Sequence, residues 1–479
     1  MPVTTTTRVR TGGSTVALGL TLAFLAPAFP AAATDDHREP IGDVTVTGPL
    51  PSDLGGSPSS PDLEDTYPFF ATYQDLAGAG YVEEEFLISG FADAYASPRT
   101  PDIAPGTLLE EDVPYTTRIV VRRPALPRHF SGTALVEWQN VTAGYDLDAL
   151  WNFEDVTRSG DAWIGVSAQQ VGVDQLRNWS PTRYGSLDVT AGGRYALDQL
   201  ALDIYAQAAK ALVDPAGVDP MGGLDVETLL SIGASQSTRY QSTYYDHVLP
   251  KVEPVFDGYA IVVGTAPSRV GEEPVFQVQS ETDVTAAAAA ARRPDDAVFR
   301  RWEVAGAAHS GWQGQEYRAP LSERDLGGAP QYSCDLPPFS RVPMHHVTAA
   351  AYAHLARWAE KGIAPPSAPY LEFDADGNKV RNELGLAQGG IQLSQVAVPI
   401  ALNSGTNSGA SFCRLFGTHQ PFSDEQLAAL YGSKGEYVNA VLAVDHANLR
   451  AGYIEKDDAK DNLRAALAFA RELQQILRG

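Results

Sequence analysis

The stretch "LLSIGASQSTRY", Leu229 to Tyr240, decides the fold. An apolar run stops at Gly233-Ala234-Ser235-Gln236-Ser237, and a polar, aromatic stretch follows. In turns of the G-x-S-x-G type a serine ends a strand and opens a helix. The turn is so sharp that the residues two before and two after the serine must be small. Gly233 and Ser237 hold those positions around Ser235, with serine standing in for the usual second glycine. "TLLSI" supplies the strand, and "QSTRYQSTYYDHVL" (Gln236 to Leu249) supplies a helix whose first N–H groups suit an oxyanion. A nucleophilic serine is one reading of this short motif; an ordinary Gly/Ser turn is the other.

Nucleophile chemistry needs partners in a fixed chain order, serine, then acid, then histidine. After Ser235, "PVFQVQSETDV" reads as a strand followed by a carboxylate-bearing loop, and "RRWEVAGAAHSG" as a strand, a small-residue loop and His309. A neutral imidazole must sit beside the serine hydroxyl to take its proton, and a carboxylate must fix its tautomer. The acid is Asp283 or Glu281, two apart in one loop. Asp283 is the better fit if the loop turns with Ser280 as its small residue; Glu281 has the longer arm. His309 has the bland alternative of a loop histidine bonded to a carbonyl. His345 and His346 open a helical stretch and read as structural, and the remaining histidines follow no suitable strand. Two backbone donors complete an oxyanion hole. One is the N–H of Gln236, and the other comes from the loop around Asn140 and Val141, unless "WQNVTAGYD" is merely a turn. Tyr145, Trp151, Trp163 and Trp179 lie near it in sequence, as pocket lining or as core.

Working outward, "YTTRIVVRRP" (115–124) alternates like a strand. "GTALVEWQN", "DAWIGVSAQ", "ETLLSIGAS", "FDGYAIVVG", "PVFQVQ" and "RRWEVAGAAH" are short apolar runs ending in small or polar residues. Such runs mark parallel strands buried on both faces. Residues 194–214 carry apolar positions at helical spacing. The class is α/β with a mostly parallel sheet.

Taken in order, "VEWQNVTAG", "WIGVSAQQVGV", "GASQSTRY", "FDGYAIVVG", "SETDV", "WEVAGAAHSG" and, later, "LARWAEKGIAPP", "GGIQLSQVAVPIA" and "DAKDNLRAALAFA" resemble the alpha/beta hydrolase domain family of large bacterial hydrolases. The likeness runs from about residue 45 to the end. It implies the α/β-hydrolase fold and a Ser-acid-His triad, with Ser235 and His309 mapping directly and the acid mapping only to the "SETD" loop.

Composition bounds the rest. The 479 residues are 44% hydrophobic and 20% charged, and 35 Lys+Arg against 59 Asp+Glu give a formal charge of −24. So acidic a chain does not suit nucleic acid or an anionic membrane, which call for basic patches. Arg8 and Arg10, the apolar run Thr15 to Phe29 and "AAA" at 31–33 read as an export signal over residues 1–33, cut near Ala33. An uncleaved anchor is the alternative, although the run is short of the roughly twenty residues of a span. Residues 34–479 then form one domain, with 34–65 a loose leader. Export favours a disulfide between the two cysteines, Cys334 and Cys413, over two buried thiols. Residues 313–343, rich in proline, and 363–457 extend the chain after His309 as lid elements or surface insertions. The loop "DADGNKVRNELG" hints at calcium but lacks the spacing of a full calcium loop, so no metal is expected. The leading expectation is a secreted, cofactor-free serine hydrolase of small carboxylic esters. Hydrolysis of lactone, amide or peptide bonds, or a binding protein on the same fold, are the alternatives.

Overall fold

In the computed structural model, residues 38–52 and 66–478 are described. The export signal and its cleavage point lie outside them. Twelve strands form two sheets among the described residues: β1 (Thr45–Thr47), β2 (Tyr81–Tyr95), β3 (Leu108–Pro124), β4 (Thr133–Trp138), β5 (Ala162–Val166), β6 (Ala216–Gly217), β7 (Thr228–Ala234), β8 (Gly258–Val262), β9 (Val275–Ser280), β10 (Phe299–Val304), β11 (Ala401–Ser404) and β12 (Thr418–Pro421). Ten make one sheet in the order β10-β9-β8-β7-β4-β5-β3-β2-β1-β6, while β11 and β12 form a separate ribbon.

The six strands from β5 to β10 in sheet order run parallel, and every residue of β4, β5, β7, β8, β9 and β10 is buried. That is why they read as unbroken apolar runs rather than alternating ones. Their aligned C-terminal ends, Trp138 beside Gly233, Ala234 beside Val262 and Val304 beside Ser280, bring the five loops after β4, β7, β8, β9 and β10 to one sheet edge. β3 pairs antiparallel with both β2 and β5. The helix Met344–Lys361 covers the sheet, its Leu355 touching the face of β8 at Gly258.

Three sequence expectations change. Residues 38–52 are not a loose leader: β1 pairs with β2, and Glu39 bridges to Val252. The helix expected over 194–214 spans only Ala201–Lys210. Gly192, Gly193 and Asp198 all have positive φ, and the Asp198 carboxylate accepts from the N–H of Gln170 and from Gln169. The proline-rich 313–343 stretch holds a 14-residue helix, Trp312–Asp325, with Pro320 inside it. Further on, helices Lys434–Ala451 and Lys456–Ile476 pack together around a second small core of Tyr431, Tyr437, Val441, Ala466 and Leu473. No helix of the described residues is long and apolar enough to cross a membrane.

Candidate active site

Ser235 stands between the end of β7 and the helix Ser237–Thr243, with φ of +59°. A side-chain-bearing residue rarely takes this left-handed conformation, and such strain clusters at functional turns. The size rule is visible: a Cβ on Gly233 would lie 2.7 Å from Gln241 Oε1. Ser237 is fully buried, whereas Ser235 faces a cavity of about 200 Å³.

His309 lines the same cavity. Its Nδ1 lies 2.7 Å from Asp283 Oδ1, and its backbone N–H donates to Thr282 Oγ1 at 3.2 Å. Asp283 Oδ2 in turn accepts from the Ser280 hydroxyl. Glu281 points elsewhere. It is fully buried; Oε2 accepts the Gly306 N–H at 2.8 Å, and Oε1 accepts from Arg381 at 2.6 Å and Ser404 at 3.2 Å. Glu281 therefore clamps the loop before His309 to the chain that follows it. Gly306, with φ of +71°, leaves no room for a Cβ, which would meet Val396 at 2.6 Å. No hydrogen bond joins Ser235 to His309 among the described residues; such bonds are often loose before substrate enters.

The Asn140 expectation needs correction. Its backbone N–H donates to Leu147 O at 3.1 Å, so it is not free to hold an oxyanion. Its side chain braces the turn instead: Nδ2 donates to Ala234 O at 2.9 Å, and Oδ1 accepts the Thr142 N–H at 2.9 Å. The N–H groups of Val141 and Gln236 have no acceptor among the described residues. Gln236 is held by Gln169, which also accepts from Trp138 Nε1.

Of the four aromatics near that loop, Tyr145 and Trp151 line the cavity, while Trp163 and Trp179 are core. Trp151 is fixed by Arg122, whose guanidinium lies 4.5 Å from the ring centroids of both Trp151 and Trp163 and is paired with Glu83 and Asp148. The missed helix supplies its first turn, residues 312–315, and then Arg318, Ala319 and Ser322 to the wall. Tyr332, Phe412, Leu415 and Phe416 close the cavity on the side stapled by the disulfide Cys334–Cys413.

His345, read as structural, also lines the cavity. Burial, and then the neighbouring His346, push its pKa well below 6.5. His346 is 8% exposed and its Nδ1 has no hydrogen-bond partner among the described residues; burial, then the charge of Arg158, lower its pKa to about 4. The folded protein keeps this ring neutral where the unfolded chain takes a proton. Stability is thus present above 6.5 and is lost as pH falls toward 4, by at most about 3 kcal/mol. His346→Gln is expected to shrink the difference in urea-unfolding free energy between pH 7 and pH 4. An unchanged difference refutes this.

Among the described residues no cluster of three or more His, Cys, Asp or Glu could hold a metal ion. A family model described as "Alpha/beta hydrolase domain" matches residues 46–464. No curated protein matches the chain. Solved structures that resemble it include a prolyl endopeptidase from a study of two such enzymes, at 10% identity and TM-score 0.27, covering 47% of this chain and 35% of that one. The esterase Est22 stands at 10% and 0.26, covering 43% and 66%. A cold-adapted esterase from an Arctic intertidal metagenomic library stands at 12% and 0.25, covering 51% and 91%. The chain spans less than two thirds of the length of the first two.

Proposed function

The chain belongs to the alpha/beta hydrolase domain family, and on that footing we propose that it is an exported serine hydrolase of small carboxylic esters. Ser235 is the nucleophile, His309 the general base and Asp283 the acid. The observation that carries this reading is a strained serine at a strand-to-helix turn, facing one cavity with a histidine whose far nitrogen lies 2.7 Å from a carboxylate.

The chemistry follows from those groups. Ser235 Oγ attacks the ester carbonyl carbon as His309 Nε2 takes its proton, and Asp283 stabilises the imidazolium at Nδ1. The carbonyl oxygen, now negative, is held by the N–H groups of Gln236 and Val141. The C–O bond to the alcohol breaks, and the leaving oxygen receives the proton from His309. Water then gives a proton to His309 and attacks the acyl-enzyme. The Ser235 ester bond breaks, the acid leaves, and the serine regains its proton. No step calls for a cofactor.

A cavity of about 200 Å³ walled by Trp151, Trp312, Phe412 and Phe416 supports a small acyl ester rather than a polypeptide chain. Export is supported by the basic and apolar N-terminal sequence and by the disulfide. A panel of 4-nitrophenyl esters from acetate to decanoate, run beside peptide 4-nitroanilides, tests the proposal. Turnover of the short esters at least about a hundredfold above the anilides is expected. Faster anilide cleavage assigns peptide hydrolysis instead, and no turnover of any member refutes catalysis of this class.

A further inference from the structure

The proposed active site carries one charge that ester hydrolysis does not use. Arg318 is the one Lys, Arg, Asp or Glu side chain among the residues lining the cavity that Ser235 and His309 share. It is half-buried and makes no ion pair within 4 Å among the described residues. Its one hydrogen bond is Nη2 to the Ser310 hydroxyl at 2.7 Å, directly after His309 in sequence. Four of the five guanidinium N–H groups are left without a protein acceptor.

An unpaired guanidinium in an aromatic cavity is costly to desolvate, and most buried charges have partners. Asp and Glu outnumber Lys and Arg by 59 to 35 here, so carboxylates are plentiful. The fully buried arginines take them: Arg118 pairs with Glu85 and Asp146, and Arg122 with Glu83 and Asp148. Arg318, alone at the catalytic cavity, has been left for something else.

Two phenols, Tyr145 and Tyr332, line the same cavity. The Tyr145 hydroxyl has Ser322 as its hydrogen-bonding neighbour, and the Tyr332 hydroxyl has no hydrogen-bond partner among the described residues. Tyr145 is fixed by Phe69 and Phe70, with ring centroids at 6.0 and 4.9 Å, and Tyr332 by Phe339 and Phe416, at 6.0 and 4.5 Å. Burial raises both phenols, and the charge of Arg318 is the next influence on each, acting the other way. The three groups therefore lie within electrostatic reach of one another. A planar fork of donors in one cavity with two phenol hydroxyls suits a carboxylate.

We propose that Arg318, with Tyr145 and Tyr332, binds a carboxylate carried by the substrate, so that the preferred ester is an anion such as the monoester of a short dicarboxylic acid. The site rests on the reading of Ser235 and His309 as the hydrolytic pair. An overall charge of −24 repels such substrates at long range. Arg318 supplies the local attraction that offsets this, and at the same time orients the scissile carbonyl.

The test is the ratio of kcat/KM for monoethyl esters of succinate, glutarate, adipate and pimelate to that for ethyl butanoate, pentanoate, hexanoate and heptanoate, matched in chain length. A charge-assisted hydrogen bond changes binding about tenfold to a hundredfold. Wild type is expected to favour the anion by at least about tenfold at one chain length. Arg318→Gln should collapse that ratio toward one, and Arg318→Lys should keep part of it. The ratio is insensitive to the fraction of folded enzyme. If Arg318→Gln leaves the ratio unchanged, or wild type prefers the neutral ester at every length, Arg318 merely braces Ser310 and the proposal falls while hydrolysis stands. If wild type turns over no ester at all, the hydrolytic reading fails by itself. Calorimetric binding of adipate to Ser235→Ala, with and without Arg318→Gln, then decides the carboxylate site: Arg318-dependent binding upholds it, and its absence overturns it.

Discussion

Replacing Ser235 by alanine is expected to lower ester turnover by at least about four orders of magnitude, with the melting temperature within a few degrees of wild type. The size follows from what remains. Without the hydroxyl there is no acyl-enzyme, and only binding and the oxyanion donors still act on a water molecule. Loss of a nucleophile in comparable triads costs about 10⁶ in kcat. Stability changes little because Ser235 makes no side-chain hydrogen bond among the described residues, and alanine must take the same φ of +59°. Ser237→Ala is the control. That hydroxyl is fully buried and has no hydrogen-bond partner among the described residues, so its loss is expected to leave turnover within a few-fold. A large loss in the Ser237 variant with a small one at Ser235 shifts the nucleophile by two residues.

Asp283→Asn against Glu281→Gln gives the second large effect. The amide at 283 presents either a neutral acceptor or an N–H to His309 Nδ1, now 2.7 Å from a carboxylate. The tautomer is no longer fixed and the imidazolium loses its counter-charge, which costs about 10⁴ in kcat. Glu281 instead holds Arg381, Ser404 and the Gly306 N–H. Glu281 is buried but Arg381 is 30% exposed, so losing the pair costs less than the roughly 3–5 kcal/mol of a fully buried one. Glu281→Gln is thus expected to melt at a lower temperature while the folded enzyme keeps kcat within about tenfold. The reverse pattern makes Glu281 the acid.

The buried parallel strands announce themselves because both faces need apolar residues, and Ser235 is marked by a constraint on neighbour size that sequence displays directly. The acid was ambiguous for a physical reason. Glu281 and Asp283 lie two apart, and which one meets His309 depends on Arg381 and Ser404, about a hundred residues away. Asn140 misled because polarity at a strand end suits both an oxyanion donor and a turn brace; the bridge to Leu147 decides between them. The helix Trp312–Asp325 was hidden by Gly314, Pro320 and polar residues, since its face is shaped to line a cavity rather than fill a core. With that helix went Arg318. β1, three residues long, is too short for periodicity to register.

Active-site labelling identifies the nucleophile by its own chemistry. Wild-type protein treated with a fluorophosphonate and analysed by intact mass and peptide mapping is expected to carry one adduct, on the peptide containing Ser235. The adduct should be lost in Ser235→Ala, kept in Ser237→Ala and formed much more slowly in Asp283→Asn. An adduct on another residue, or none on folded wild-type protein, contradicts the assignment of Ser235 as the nucleophile.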